Sequence, residues 1–369
     1  MARKRELDLF VFLWLLVPCA LAAGQVAETS IVLTHDGAVT KVQFDPSGKP
    51  VLLTVAYGAV LWDTRSGDKM HTFEGPRKKA GCVASLSPDG TRLLVSASGP
   101  WDRGPATLYD ATTFEELWQV EPREWGFMMS VLSPGGKYAV VSRERYHWLL
   151  DARTGEQIHE LAPDVASGQR GNPVCLAFSP DDALFFAASD MGVDRVWNTT
   201  TGNMRHKISH GNIIWDAAFT PDGKQLVTAS EDGTAGLWDM ATGQKVRSLQ
   251  HSKGVYSVEI ATDGETVLTG AGSGKAVLWD TATGDKRREL DHASDVTCAV
   301  LSARGDMALT GTRDGTVTLW RASSGEKLLE HKHEGLVWDV AFSPDGTRVA
   351  SASRDNTAQL SRVPTAGSD

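Results

Sequence analysis

Leu237-Trp238-Asp239 closes a segment that begins at His210, and the chain repeats that segment along much of its length. Steps of 41 residues from Trp238 reach Trp279, Trp320 and Ser361, and one step back reaches Trp197. A fixed period near 40 residues marks an array of like units, each packing on its neighbours. The 369 residues are therefore read as one large domain, although length alone would allow two.

Each unit carries a turn upstream of its aromatic, beginning at Asp45, Ser87, Ser133, Ser179, Thr220, Ala261, Ser302 or Ser343 and in its fullest form Ser343-Pro344-Asp345-Gly346. Proline fixes the first turn dihedral and Asp-Gly completes a link between antiparallel strands. Short β-branched or aromatic segments flank the turn, as Ile213 to Phe219 and Gln225 to Ser230 do. A third strand ends at Trp62, Tyr109, Leu150, Trp197, Trp238, Trp279, Trp320 or Ser361. Five residues later a second tight turn is marked by Gly67, Gly155, Gly202, Gly243, Gly284 and Gly325, and a fourth strand such as Gln244 to Leu249 follows. Four short antiparallel strands in each of eight units describe an all-β, eight-bladed β-propeller. The last unit lacks a fourth strand, and Ser30 to Thr34 is spare at the other end, so this N-terminal segment is expected to close the ring. Seven blades plus a stray unit is the competing count.

Ahead of the array, Arg3, Lys4 and Arg5 precede an apolar run from Leu9 to Leu21 and a small-residue site at Ala20-Leu21-Ala22 or Leu21-Ala22-Ala23. That order reads as a signal peptide. The expected layout is a signal over 1–23, a linker over 24–29, the propeller over 30–363 and a tail over 364–369. Export to a periplasm or the medium is expected, without membrane insertion after cleavage; the alternative is an N-terminal anchor. Cys82, Cys175 and Cys298 would remain, an odd number with no metal-like spacing, and each reads as a buried thiol. The net charge of -9 argues against nucleic acid as a partner. No cofactor or metal is expected.

One side-chain constellation recurs at constant spacing. His210, Thr228, Asp232 and Trp238 form one set; His292, Thr310, Asp314 and Trp320 repeat it 82 residues on. His251, Thr269 and Trp279 keep three parts with Ser273 in place of Asp, and His333, Ser351 and Asp355 keep three with Ser361 in place of Trp. A His, a hydroxyl and an Asp also suit a catalytic triad. Recurrence with Trp points instead to a structural hydrogen-bond chain, each buried bond contributing about 1 kcal/mol net. The set resembles the structural tetrad of WD-repeat proteins, and the resemblance covers residues 30 to 361. Arg77, Arg123 and Gln169 stand at the aligned His positions of blades 2 to 4, whose loops are expected to be less firmly tied.

The resemblance implies a partner-binding face opposite the two regular turns. The long insertions fall there, at Gly99 to Gly104, which includes Trp101, and at Pro163 to Pro173. Five residues after each His, and at the aligned places elsewhere, stand Thr40, Cys82, Met128, Val174, Trp215, Tyr256, Thr297 and Trp338. In WD-repeat proteins these positions border the central channel, although aromatics there also suit a core. Glu231, Arg313 and Arg354, each just before the tetrad Asp, would charge the rim. The expected function is a non-catalytic scaffold for a protein or peptide partner. Two enzyme classes stand against it. Repeated Asp-x-x-Thr-Gly, as at Asp239 to Gly243, resembles part of the quinoprotein docking motif, but His159, Arg247 and Arg288 occupy its Trp positions and only Trp118 approximates it. A hydrolase or lyase would need polar groups outside the repeat, for which His147 with Arg143, Glu144 and Arg145 is the candidate; that cluster reads as a solvated hairpin.

Overall fold

The structure, a computed structural model, describes residues 30–75, 81–97, 104–122, 128–144, 146–162 and 171–364. The leader and linker over 1–29, Trp101, Arg77, Arg123, Gln169 and Arg145 lie outside the described residues. Those residues form thirty-two strands and no helix. The strands make eight antiparallel four-stranded sheets, so the count is eight blades.

Blade 5 shows the plan: Ile214–Phe219, Gln225–Ser230, Thr234–Asp239 and Lys245–Gln250 hydrogen-bond in chain order from inside to outside. The first strands of successive blades neighbour one another around the axis, which makes them the channel wall. Blade 8 takes only Val337–Phe342, Arg348–Ser353 and Thr357–Arg362 from the C-terminal end. Ile31–Thr34 supplies its outer strand, pairing Ile31 with Leu360 and Thr34 with Thr357. The ring is closed by the N-terminal segment, as its spare strand implied.

Between blades, apolar faces interdigitate. Leu33 and Leu360 of blade 8 pack in one cluster with Val42, Leu52 and Trp62 of blade 1, and Cys175 and Phe186 of blade 4 with Leu226 and Trp238 of blade 5. Two polar devices reinforce these seams. Near the axis, the Asp216 carboxylate accepts the Val258 N–H of the next blade at 2.9 Å, Asp339 accepts the Val42 N–H at 3.1 Å, and the Ser257 hydroxyl accepts the Ala299 N–H at 3.1 Å. At the periphery, a side chain on the outer strand of each of blades 2 to 6 docks on the second tight turn of the next blade: Trp118 Nε1 on the Ala152 carbonyl, His159 on Thr200, His206 on Met240, Arg247 on Thr283 and Arg288 on Ser323. The glycines of those turns are required twice over. Gly202 and Gly243 have φ of 70° and 75°, and a Cβ there would meet the His159 and His206 rings at 2.7 and 2.4 Å.

Candidate functional site

Blade 5 holds the complete tetrad. Asp232 Oδ2 lies 2.9 Å from His210 Nδ1, His210 Nε2 lies 2.7 Å from Thr228 Oγ1, and Trp238 Nε1 donates to that oxygen at 2.8 Å. A carboxylate accepts only, so Nδ1–H donates to it, Nε2 accepts the Thr228 hydroxyl proton, and that hydroxyl accepts the indole. The chain runs from a buried Trp to the rim turn, where Asp232 also accepts the Gly211 and Thr234 N–H groups at 2.9 Å each. Burial lowers the His210 pKa despite Asp232, and hydrogen bonds from Thr234, Gly211 and His210 bring Asp232 down to about 2 against its desolvation.

The second expected tetrad is incomplete. His292 and Trp320 meet at Thr310, at 2.8 and 2.9 Å, but Asp314 does not reach His292, whose Nδ1 donates to the Leu290 carbonyl at 3.0 Å. Lys332 Nζ lies 3.1 Å from Asp314, and the Thr312 and Thr316 hydroxyls bond it at 2.6 and 3.0 Å, so the carboxylate is held within its own turn. Blade 5 has Gln250 where blade 7 has Lys332. Blade 6 joins His251 and Trp279 at Thr269, at 2.8 Å each, and leaves the Ser273 hydroxyl buried without a partner.

Blade 8 solves its missing Trp differently. His333 meets Ser351 at 2.8 Å and Asp355 at 3.1 Å, and His331 of the neighbouring outer strand reaches Ser351 at 3.2 Å where Trp would stand. Blade 1 carries a triad the spacing missed, with His35 and Trp62 on Thr54 at 3.1 and 2.8 Å. The hairpin between its second and third strands is two residues shorter, so the offsets shift. In blades 1, 5, 6 and 7 the Trp face is covered by a lysine seven residues on: Lys69, Lys245, Lys286 and Lys327 at 4.7 to 5.4 Å.

His147 is not part of a solvated hairpin. It is 4 % exposed, bonds Ser142 at 2.8 Å and packs edge-on against Trp197 at 5.2 Å. Trp197 Nε1 is buried without a partner, because blade 4 has Ala187 where Thr228 stands in blade 5. Burial lowers His147 to about 3, so it is a neutral core side chain. Cys82, Cys175 and Cys298 are free and buried; burial pushes Cys82 up to about 12 and the other two well above a thiol's usual range. Such thiols are packing groups, not nucleophiles.

The rim is made by a backbone device. In blades 4 to 8 the inner strand shifts register across one residue, namely Val174, Trp215, Tyr256, Thr297 and Trp338. Each is the extra residue of a β-bulge, which swings a side chain out of the pleat. Trp215 is 39 % exposed and Trp338 48 %, so neither belongs to the core. Trp215 Nε1 donates to Glu231 at 2.7 Å, and its ring meets Tyr256 edge-on at 6.5 Å. Tyr256 is half-buried, and Arg313 hydrogen-bonds its hydroxyl while also binding Asp295 at 3.0 Å. Arg354 is exposed beside Gly335, and Met128 is half-buried in blade 3. Cys82 breaks the pattern, pairing regularly with Ala97 and remaining 3 % exposed. The structure thus gathers Trp215, Glu231, Tyr256 and Arg313 along one arc and sets Trp338 and Arg354 on blade 8.

Below the rim, the channel wall carries carboxyl groups at two levels, Asp216 and Asp339 above and Glu259 a strand pair lower. Burial raises Asp216 and Asp339 to about 6, and burial followed by these two neighbours raises Glu259 to about 8. Sequence reading missed them, because each falls inside a strand of otherwise apolar or small residues. Among the described residues no His, Cys, Asp and Glu group is arranged to hold a metal ion, and no helix is long and apolar enough to cross a membrane.

Eight blades closed ring-wise, with a His, hydroxyl and Trp hub in blades 1, 5, 6 and 7, define a WD-repeat propeller. The family model "WD domain, G-beta repeat" matches residues 162–198, 202–239, 243–280, 284–321 and 325–360, about half of the chain, and the protein belongs to that family. Among curated proteins, a "Guanine nucleotide-binding protein subunit beta" of Oryza sativa subsp. japonica is 30% identical over 184 residues, 48% of each chain. A "Serine-threonine kinase receptor-associated protein" of Gallus gallus is 29% identical over 179 residues, 48% of this chain and 47% of its own. The match thus spans about half the length of these relatives. Among solved structures, the computationally designed Ika8 protein superposes with a TM-score of 0.76 at 22% identity, over 89% of this chain and 98% of that one, a likeness of fold.

Proposed function

We propose that this protein is a non-catalytic interaction scaffold that captures a protein or peptide on its loop-rich face and channel rim. The observation that carries this reading is the pair of bulge-borne indoles, Trp215 and Trp338, exposed at 39 % and 48 % on a rigid ring. Large aromatics exposed on fixed backbone lose little entropy on binding and dominate interface energetics. The match to "Guanine nucleotide-binding protein subunit beta" and "Serine-threonine kinase receptor-associated protein" supports a protein partner by name only. The test is a pull-down from the exported fraction with wild type and the Trp215→Ala/Trp338→Ala double variant as baits. Loss of the wild-type partner with an unchanged melting curve is expected; equal capture by both sinks the reading.

The scaffold acts after export in this reading, supported by the basic, apolar and small-residue order over residues 3–23. N-terminal sequencing of the mature protein is expected to start at Ala23 or Gly24. A start at residue 1 or 2 would favour an N-terminal anchor.

A further inference from the structure

On the turn-bearing face, the channel mouth opens into a cavity of about 320 Å³ between blades 6, 7 and 8, with Glu259 in its wall. Val300, Leu301, Val340 and Phe342 give it an apolar side, and the hydroxyls of Thr262, Ser302 and Ser343 in its lining donate instead to Ala303, Asp306 and Asp345. Glu259 stands at a register position whose equivalents in other blades are Gln43, Ser85 and apolar residues such as Ala218, Val300 and Ala341. It is the one charged side chain of that ring. Asp216 and Asp339 each accept two backbone N–H groups. Among the described residues Glu259 receives no hydrogen bond and no ion pair; its electrostatic neighbours are the like-charged Asp216 and Asp339. The Lys41 ammonium acts on Asp339 and is not among the electrostatic neighbours of Glu259. Glu259 is thus a half-buried carboxyl group on the cavity wall with its acceptor sites free of described donors.

The geometry points to a site for a primary alkylammonium group, its charge on Glu259 and its stem against Val300, Val340 and Phe342. A compact ammonium brings three donors to the single carboxylate; a guanidinium would bring five in a fixed fork and leave more of them unpaired. The aliphatic stem suits the apolar wall as lysine stems suit apolar surfaces. The same group can arrive on a free alkylamine or on a lysine side chain. Burial, followed by the like charges of Asp216 and Asp339, holds the proton on Glu259 up to about 8. Ammonium binding displaces that proton, so binding tightens from pH 6 to 9.

The test is calorimetric titration of the full chain with n-butylammonium chloride, with 1-butanol as the neutral control and acetyl-Gly-Lys-Gly-amide as the peptide probe. Saturable butylammonium binding is expected, with proton release in buffers of differing ionisation enthalpy. Loss of about tenfold or more is expected in Glu259→Gln, with no binding of 1-butanol. Tighter binding of the peptide than of butylammonium assigns the site to a partner's lysine; weaker binding assigns it to a free amine. No saturable binding, or the same affinity in Glu259→Gln, overturns the proposal. Proton release by wild type keeps the test decisive should the variant fold poorly. The rim variant Trp215→Ala/Trp338→Ala is expected to bind butylammonium unchanged.

Discussion

Thr228 is the point on which blade 5 turns, since one hydroxyl oxygen meets His210 Nε2 and Trp238 Nε1 at 2.7 and 2.8 Å. Thr228→Val keeps the shape and strands both nitrogens, so a loss of roughly 2–4 kcal/mol in denaturant unfolding is expected. The histidine hubs also set a pH dependence. Burial lowers His35, His251 and His292 to about 4 against the ordinary 6.5. Below 6.5 the unfolded chain takes up protons that the folded chain refuses, so their stabilisation is full above pH 6.5 and drains away down to about 4. His251→Gln is therefore expected to lower the Tm more at pH 7 than at pH 4.5, and a constant difference would refute the assignment. At this scale the sequence was readable where a contact follows from strand register. Thr and Trp on adjacent paired strands, with His in the loop ahead of the inner strand, meet at fixed spacing. Asp314 was misread because its place depends on a side chain from another strand, Lys332, and His147 because charged neighbours concealed an inward-facing position.

Strand composition and turn chemistry revealed the elements almost in full, including the orphan segment Ile31–Thr34. The bulges were not legible as bulges, because each adds its residue within a constant interval and leaves no trace in the period. What could be read was only the position, and the structure shows why it matters: an extra residue aims Trp215 and Trp338 outward. The closing strand invites its own test. Leu33 is 2 % exposed and packs into the seam between blades 8 and 1. Leu33→Ala is expected to cost about 2–5 kcal/mol, with one cooperative transition retained. A loss well under 1 kcal/mol in calorimetry would mean that the outer strand of blade 8 does little to hold the ring.

For the whole molecule, the period announced the ring, but the electrostatics of its axis emerged only once eight strands converged. Asp216, Glu259 and Asp339 sit on different blades, far apart in the chain, and nothing local pairs them. Their raised values mean that the folded chain binds protons the unfolded chain has released. Their contribution is most favourable below about pH 4 and is lost as pH rises, through about 6 for the aspartates and about 8 for Glu259. Glu259→Gln is therefore expected to gain in Tm over wild type as pH climbs from 5 to 8, a trend that thermal melts across that range would show or exclude.

The pairing of Ile31 with Leu360 also has a meaning in time. The first strand of the propeller to be synthesised is among the last to find its partner, roughly 330 residues later. At synthesis rates of about 5–20 residues per second it waits on the order of tens of seconds with its edge unpaired. Until then blade 8 has an open flank and the chain is a spiral rather than a ring. Every partial chain short of Thr357–Arg362 is in that condition, so the molecule gains its closed form in a single late event.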